Sequence, residues 1–222
     1  MKGVIFDFNG TMFLDSPLHE RAWIEMAAKL RREPLGIEEF YLNLQGRTNL
    51  QIIRYLLGYE PSESQLKSIT EEKELLYRTR CAAPGGLHHL APGVEDFLDM
   101  LKPTGIPFTI ATGSYRPNVE FYFSHLQLGK WFDINNVIYD DGTYPGKPAP
   151  DIFIKAAEVI GVKPADCLVF EDSYAGIRSA VGAGIGRIVT VESTLDSQKV
   201  NNIGNVYKMA SGFCNIGLDI LD

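Results

Sequence analysis

Residues 1–11 read MKGVIFDFNGT. Val4, Ile5 and Phe6 form a short apolar run broken at once by Asp7, with Asn9, Gly10 and Thr11 behind it. That is the pattern of a buried strand opening into a polar, glycine-containing turn. A carboxylate in that place has two readings. It either caps the turn, or it lies on the floor of a cleft, because open parallel sheets bind ligands beyond the carboxyl ends of their strands. What stands at the ends of the other strands decides between them.

The remainder of the chain supplies those strands. From Pro92 onward, apolar segments of strand length alternate with helical patterns. A helix carries Val94, Phe97, Leu98 and Leu101 on one face and is followed by strand Phe108–Ala111, then by a helix after Pro117. Strand Val137–Tyr139, helix Asp151–Ile160, strand Leu168–Phe170, a helix to Ala183 and strand Ile188–Val191 complete the alternation. Such alternation predicts an α/β fold with a doubly wound parallel sheet. Between the first strand and Pro92 the pattern is helical only. Asp15 or Ser16 is the expected N-cap of a helix that has Pro17 in its first turn and ends near Arg32. Helices over 37–44, 49–57 and 64–80 follow, the second of these with Leu50, Ile53 and Leu57 on one face and Gly58 as its stop. The expected organisation is an α/β core of residues 1–14 and 84–222 with an inserted α-helical cap domain of residues 15–83.

Composition narrows the function. At 222 residues the chain can bury one large core, or one core and a small accessory domain. A net charge of -7 argues against a nucleic-acid partner, because phosphate backbones require clustered Lys and Arg. No apolar run reaches membrane-spanning length and no cleavable signal pattern precedes the first strand, so a cytoplasmic protein without a membrane partner is expected. Cys81, Cys167 and Cys214 are odd in number and far apart, which suggests core or surface thiols rather than disulfides or a zinc site.

Each strand of the α/β part ends in a group suited to phosphate or metal. Phe108–Ala111 leads into Thr112, Gly113 and Ser114, whose hydroxyls and backbone N–H groups suit phosphate oxygens. Lys147 lies between Gly146 and Pro148, just before a helix. Leu168–Phe170 runs into Glu171 and Asp172. Two acids at a strand end, facing Asp7, would be driven towards protonation unless a cation neutralised them. An all-oxygen ligand set predicts Mg²⁺.

Four stretches in this order, DFNGT (7–11), ATGS (111–114), GKPAPDIF (146–153) and FEDSYAGIRSA (170–180), resemble the four motifs of the haloacid dehalogenase-like (HAD) hydrolase superfamily. With the helical insert and LHERAW (18–23), the chain is most similar to the β-phosphoglucomutase-like branch and its phosphatases. The resemblance implies a Rossmann-like core and a phosphoryl-transfer enzyme acting on a small phosphorylated metabolite, most simply as a monomer or weak homodimer. It implies that Asp7 is the nucleophile that becomes an aspartyl phosphate, and that Thr112 and Lys147 hold the transferring group. Gly10, Thr11, Gly113 and Ser114 would surround the phosphate. Asp7, the Asn9 carbonyl and Asp172 would bind Mg²⁺ with Glu171 in support. His19, and Arg47 beside Gly46, would face the substrate.

Two positions depart from the family pattern. The family places a second Asp, the general acid and base, two residues after the nucleophile; here it is Asn9. An amide cannot exchange that proton, and such help is typically worth ~10²- to 10⁴-fold. On the sequence alone, Asn9→Asp would restore the missing group. In the β-phosphoglucomutase branch an arginine three residues after the cap glycine grips a distal phosphate, and that place holds Asn49. The expected activity is therefore a Mg²⁺-dependent phosphatase, with a sugar-phosphate mutase and a phosphate-ester binding or regulatory protein as alternatives. Haloacid dehalogenases would leave Glu171 and Asp172 unexplained. Phosphonoacetaldehyde hydrolases need a cap lysine where Arg47, Thr48 and Asn49 stand.

Overall fold

The computed structural model describes residues 1–191, 195–204 and 206–222. Its sheet contains β1 (Gly3–Phe6), β2 (Phe108–Tyr115), β3 (Ile138–Asp140), β4 (Cys167–Glu171), β5 (Arg187–Val191) and β6 (Val206–Ala210). The strands lie in the order β3-β2-β1-β4-β5-β6, all parallel. β1 is the pivot: Phe6 is in register with Ile110 on one side and with Phe170 on the other. The winding changes direction between β1 and β4, so the crevice where such sheets bind ligands opens beside Asp7.

Helices cover both faces, so β1 carries apolar residues in both directions and reads as a continuous hydrophobic run. Val4 and Phe6 point into one core, with Phe97 and Leu98 of α5 (Val94–Leu101). Ile5 points into the other, with Phe153 and Ala156 of α7 (Asp151–Val159). The phenyl ring of Phe6 stacks on Phe170 at 5.2 Å and meets Phe97 edge-on at 6.2 Å. α6 (Arg116–His125), α8 (Tyr174–Gly182) and α9 (Ser197–Ile203) complete the set of core helices among the described residues.

Between β1 and α5 lie α1 (Ser16–Leu30), α2 (Ile37–Asn43), α3 (Asn49–Leu57) and α4 (Glu63–Ala82). They bury an apolar cluster of their own around Trp23, Met26, Phe40, Leu44, Ile53 and Leu56. Gly58 ends α3 in the left-handed region at φ +73°, as its place after Leu57 predicts.

Several local readings change. α3 buries Ile52, Ile53 and Leu56, while Leu50 and Leu57 are only half-buried, so the packed face is rotated from the expected one. Asp15 precedes α1 but makes no cap bond; its carboxylate turns inward instead. Thr112, Gly113 and Ser114 lie within β2 rather than beyond its end, because the strand regains pairing with β3 at Tyr115 and Asp140 after an irregularity. β3 is displaced by one residue from the expected Val137–Tyr139. α9 and β6 are additions to the expected elements: α9 has seven residues, and β6 is an exposed edge strand, so neither leaves a strong periodic signal. Cys81 and Cys167 are buried free thiols and Cys214 is an exposed one.

Phe6→Ala should cost about 3–5 kcal/mol, because its cavity would open among rings held by both neighbouring strands and by α5. Urea denaturation followed by far-ultraviolet circular dichroism measures this, and a loss below ~1 kcal/mol would contradict the central role given to β1.

Candidate active site

Asp7 sits one residue beyond β1, its N–H still donating to the Phe170 carbonyl at 2.9 Å, so the ladder itself fixes the carboxylate. Lys147, brought in by the loop before α7, donates from Nζ to Asp7 Oδ1 and to Glu171 Oε1, both at 2.6 Å. Its side chain is only 1% exposed. The second oxygen of Glu171 accepts from the N–H groups of Asp172 and Ser173 and from the Ser173 hydroxyl. Asp172 accepts from Thr11 Oγ1 at 3.4 Å and from Gln45 Nε2 at 2.8 Å. Gly10 makes room for this: at φ +80°, a Cβ there would lie 2.1 Å from Asp172 Oδ2.

One buried ammonium thus stands among three buried carboxylates and bonds two of them. Burial pushes Asp7 up to about 7, against the pull of Lys147 and with the help of Glu171. Burial also holds Asp172 well above the ordinary carboxylate range, reinforced by Glu171 and Asp7. Burial works against the charge on Lys147, but Asp7 and Glu171 outweigh it and hold the ammonium above the usual lysine range. Oxygen atoms of Asp7, Glu171 and Asp172 lie within 4.8 Å of one another, close enough to share a metal ion. The donor set is all oxygen with an excess of negative charge, which fits a hard divalent cation.

A pocket opens above Asp7 and Asn9, lined on the sheet side by Gly113 and Ser114 and on the helical side by His19, Trp23, Arg47 and Asn49, among others. Thr112 and Lys147 are fully buried beneath it. The hydroxyl of Thr112, expected to face a phosphoryl group, donates instead to Asn9 Oδ1 at 3.0 Å, and that of Ser114 does the same at 2.9 Å. Arg47 lines the pocket with its Nε buried and unpartnered among the described residues. Asn49 is committed to Glu74 at 2.9 Å.

A polar network beside the pocket goes beyond the residues that the sequence singles out. Asp15, fully buried, accepts from Asn9 Nδ2 at 2.6 Å, from the Gly10 N–H at 3.2 Å and from the Tyr77 hydroxyl. His19 Nε2 lies 3.3 Å from the same carboxylate, and the ring stacks on Tyr77 at 3.8 Å. Lys73 Nζ reaches His19 Nδ1 at 2.7 Å and Glu74 at 2.9 Å. Burial opposes the charge of Glu74, but Lys73 and His19 outweigh it and hold the carboxyl at about 2. Burial holds Lys73 below the ordinary lysine range, with Glu74 working the other way. An acid just ahead of Pro17 signals a cap, and a Lys-Glu pair in the highly charged α4 signals a solvated face, so neither advertised this role.

Residues 1–184 match the family model described as haloacid dehalogenase-like hydrolase. Protein CbbY of Rhodobacter capsulatus is 32% identical over 195 residues, covering 86% of this chain and 85% of that protein. The phosphorylated carbohydrates phosphatase of Thermotoga maritima is 30% identical over 208 residues, covering 90% and 89%. The crystal structure of a HAD hydrolase, family IA, variant 3, from Entamoeba histolytica superimposes with a TM-score of 0.86 at 40% identity, over 100% of this chain and 97% of that one. With the sheet order and the four motifs meeting at one crevice, the chain belongs to the haloacid dehalogenase-like hydrolase family.

Proposed function

We propose that this protein is a phosphoric monoester hydrolase acting on a small phosphorylated metabolite through a covalent phosphoryl-Asp7. The observation that carries the reading is the placement of Asp7: buried at the switch point of the sheet, bonded to Lys147 at 2.6 Å and within 4.8 Å of Glu171 and Asp172. A sugar phosphate is the favoured substrate class, since the Thermotoga maritima relative is a phosphorylated carbohydrates phosphatase. The helical residues, not the sheet, would choose among such substrates. Arg47, whose buried Nε has no partner among the described residues, is the cation available to a polar group on the substrate's far end, a task that Asn49, tied to Glu74, does not take.

In this reading an Asp7 oxygen attacks phosphorus while the bond to the leaving oxygen breaks, giving phosphoryl-Asp7 and an alkoxide that takes its proton from water. Water then attacks phosphorus, releasing inorganic phosphate and regenerating the carboxylate. Lys147 holds charge beside the reacting carboxylate, and the backbone N–H of Gly113 orients phosphate oxygens, that of Ser114 being given to the Thr112 hydroxyl at 3.1 Å. Asp7, the Asn9 carbonyl and Asp172, with Glu171 in support, would hold Mg²⁺, which when bound stabilises negative charge on the phosphoryl group. The two parts of the chain fit a core of 1–14 and 84–222 that does the chemistry and a smaller cap of 15–83 that shapes the pocket. The Asn9 amide favours one alternative, a phosphate-ester binding protein with little turnover; steady-state assays over a panel of phosphate esters with Mg²⁺ separate the two.

Asp7→Asn should reduce hydrolysis to background, because it removes the nucleophile and a metal ligand together. Retention of wild-type rates would refute the assignment.

The metal should be coupled to pH in a definite sense. The folded-state pKa of Asp7, about 7, lies above its ordinary value of 3.8, so metal-free folded protein binds a proton that the unfolded chain releases between those values. The stabilisation from that proton is present below ~4 and lost as pH rises through about 7. Mg²⁺ must displace it, so the rise in melting temperature on adding Mg²⁺ should be larger at about pH 8 than at about pH 5.5. Thermal melts with and without Mg²⁺ at both values provide the check, and the opposite order would count against the ligand set.

Because the Asn9 amide offers no proton to a departing alkoxide, aryl and acyl phosphates should turn over faster than sugar phosphates in a common assay, with the rate following leaving-group acidity. Rates independent of leaving-group pKa would show that a proton is delivered from elsewhere.

A further inference from the structure

The side chain of Asn9 makes a complete set of bonds. Its Oδ1 accepts from Thr112 Oγ1 at 3.0 Å and Ser114 Oγ at 2.9 Å, and its Nδ2 donates to Asp15 Oδ2 at 2.6 Å and to the Tyr122 hydroxyl at 2.9 Å, with His19 Nε2 a longer contact at 3.5 Å. A primary amide has two donor hydrogens and two acceptor lone pairs, so nothing is left over. One of the four partners fixes which way the amide faces. Asp15 is the acceptor in its other contacts too, Oδ1 from the Gly10 N–H and Oδ2 from the Tyr77 hydroxyl, so the amide turns its donor Nδ2 to Asp15 and its acceptor Oδ1 to the two hydroxyls. Asp15 is itself held, at 0% exposure, by the Tyr77 hydroxyl and the Gly10 N–H.

Aspartate at position 9 would match asparagine in size and reverse this contact. A carboxylate oxygen would replace the donor Nδ2 at 2.6 Å from Asp15 Oδ2, setting acceptor against acceptor where a buried hydrogen bond had been. We propose that Asn9 and Asp15 are a coupled pair, in which Asp15 is a positioning residue that orients the Asn9 amide and requires an amide there. The carboxylate expected at position 9 has moved to position 15, behind the pocket wall. Asn9 then braces the hydroxyls of Thr112 and Ser114 on β2 instead of carrying a proton, and Asn9→Asp alone loses the bond to Asp15 that would place any acid it introduced. The kinetic part of this inference rests on the phosphatase reading; the pairing itself does not.

A cycle of wild type, Asn9→Asp, Asp15→Asn and the double variant tests it by two readouts. Thermal unfolding in metal-free buffer needs no activity. Here Asn9→Asp should lower the melting temperature more than Asp15→Asn, and the double variant should regain most of the loss, since the amide introduced at position 15 can donate to the carboxylate introduced at position 9. With Mg²⁺, kcat on p-nitrophenyl phosphate should fall about tenfold or more in Asn9→Asp and recover in the double variant, a coupling within the range for residues in direct contact. Only the double variant should gain on a hexose phosphate relative to the aryl ester, a ratio that a purely structural repair would not move. Additive effects in the thermal cycle, or a gain in turnover from Asn9→Asp alone, would overturn the proposal. If Asn9→Asp does not fold, Asn9→Ser replaces it in the comparison: shorter but uncharged, it should still fold, and its failure alongside Asn9→Asp would overturn the pairing. Wild-type protein without turnover on any ester would remove the phosphatase reading while leaving the thermal cycle to decide the pair.

Discussion

One ammonium holds this site together. Lys147, enclosed among side chains, touches Asp7 at the end of β1 and Glu171 at the end of β4 at equal distances of 2.6 Å. Neighbouring central strands can both end in buried acids only because that cation stands between them, and removing one partner of such a cluster typically costs ~3–5 kcal/mol by leaving charge unpaired. The balance is still incomplete, since Asp172 adds a third carboxylate within 4.8 Å. Burial lifts Asp7 to about 7 despite its lysine, and the charge of Glu171 adds to the lift. The same imbalance makes the cluster suited to a divalent cation: the ordinary stability of the sheet is given up locally for a place where positive charge is wanted.

Much of this was legible in the chain because it follows from local rules. The apolar run of β1, the α/β alternation after Pro92 and the chemistry at each strand end all express the same parallel sheet, and the bounds of α3, with Gly58 as its stop, follow from capping alone. The motif order brings Asp7, Lys147, Glu171 and Asp172 together, Asp7 and Lys147 across 140 positions and the two later acids across more, because each follows or precedes a specific strand or helix. Where the local signal is weak, elements escape notice: β6 is an exposed edge, and α9 has one central apolar residue, Val200.

The polar network was not legible, for a different reason. Asn9 and Tyr122 are 113 positions apart, Asp15 and Tyr77 62, and Asn118 and Glu74 44. None lies at a helical or strand repeat that would predict contact. Residue by residue, each has a commoner explanation: a helix cap for Asp15, a solvated charge for Lys73 and Glu74, an aromatic core for Tyr77 and Tyr122. Thr112 shows the same limit from the other side, since its type suited a phosphate while its hydroxyl is spent on Asn9. Polar side chains at a sheet edge are placed by backbone geometry, but what they bond to is decided by neighbours that sequence spacing does not reveal.

That network also determines how the helices are joined to the sheet. Asp15 stands in the first connection between them and collects donors from both directions, Asn9 on the sheet side and Tyr77 and His19 on the helical side. Asn118, from α6, bonds Glu74 of α4 at 2.7 Å, so a second contact crosses the same boundary. A connection bonded in this way is no free hinge. Any movement that opens the pocket must either break buried, charge-assisted hydrogen bonds or carry Asp15 and Asn9 along as a unit. The return connection, residues 83–93 between α4 and α5, is tied to the first as well, through the Ala91 N–H donating to the Met12 carbonyl at 2.7 Å. It follows that the side chain at position 9 cannot be considered as a site residue alone: its amide closes the contact by which the helical half is seated over Asp7, and chemistry and assembly of the pocket are constrained by the same bond.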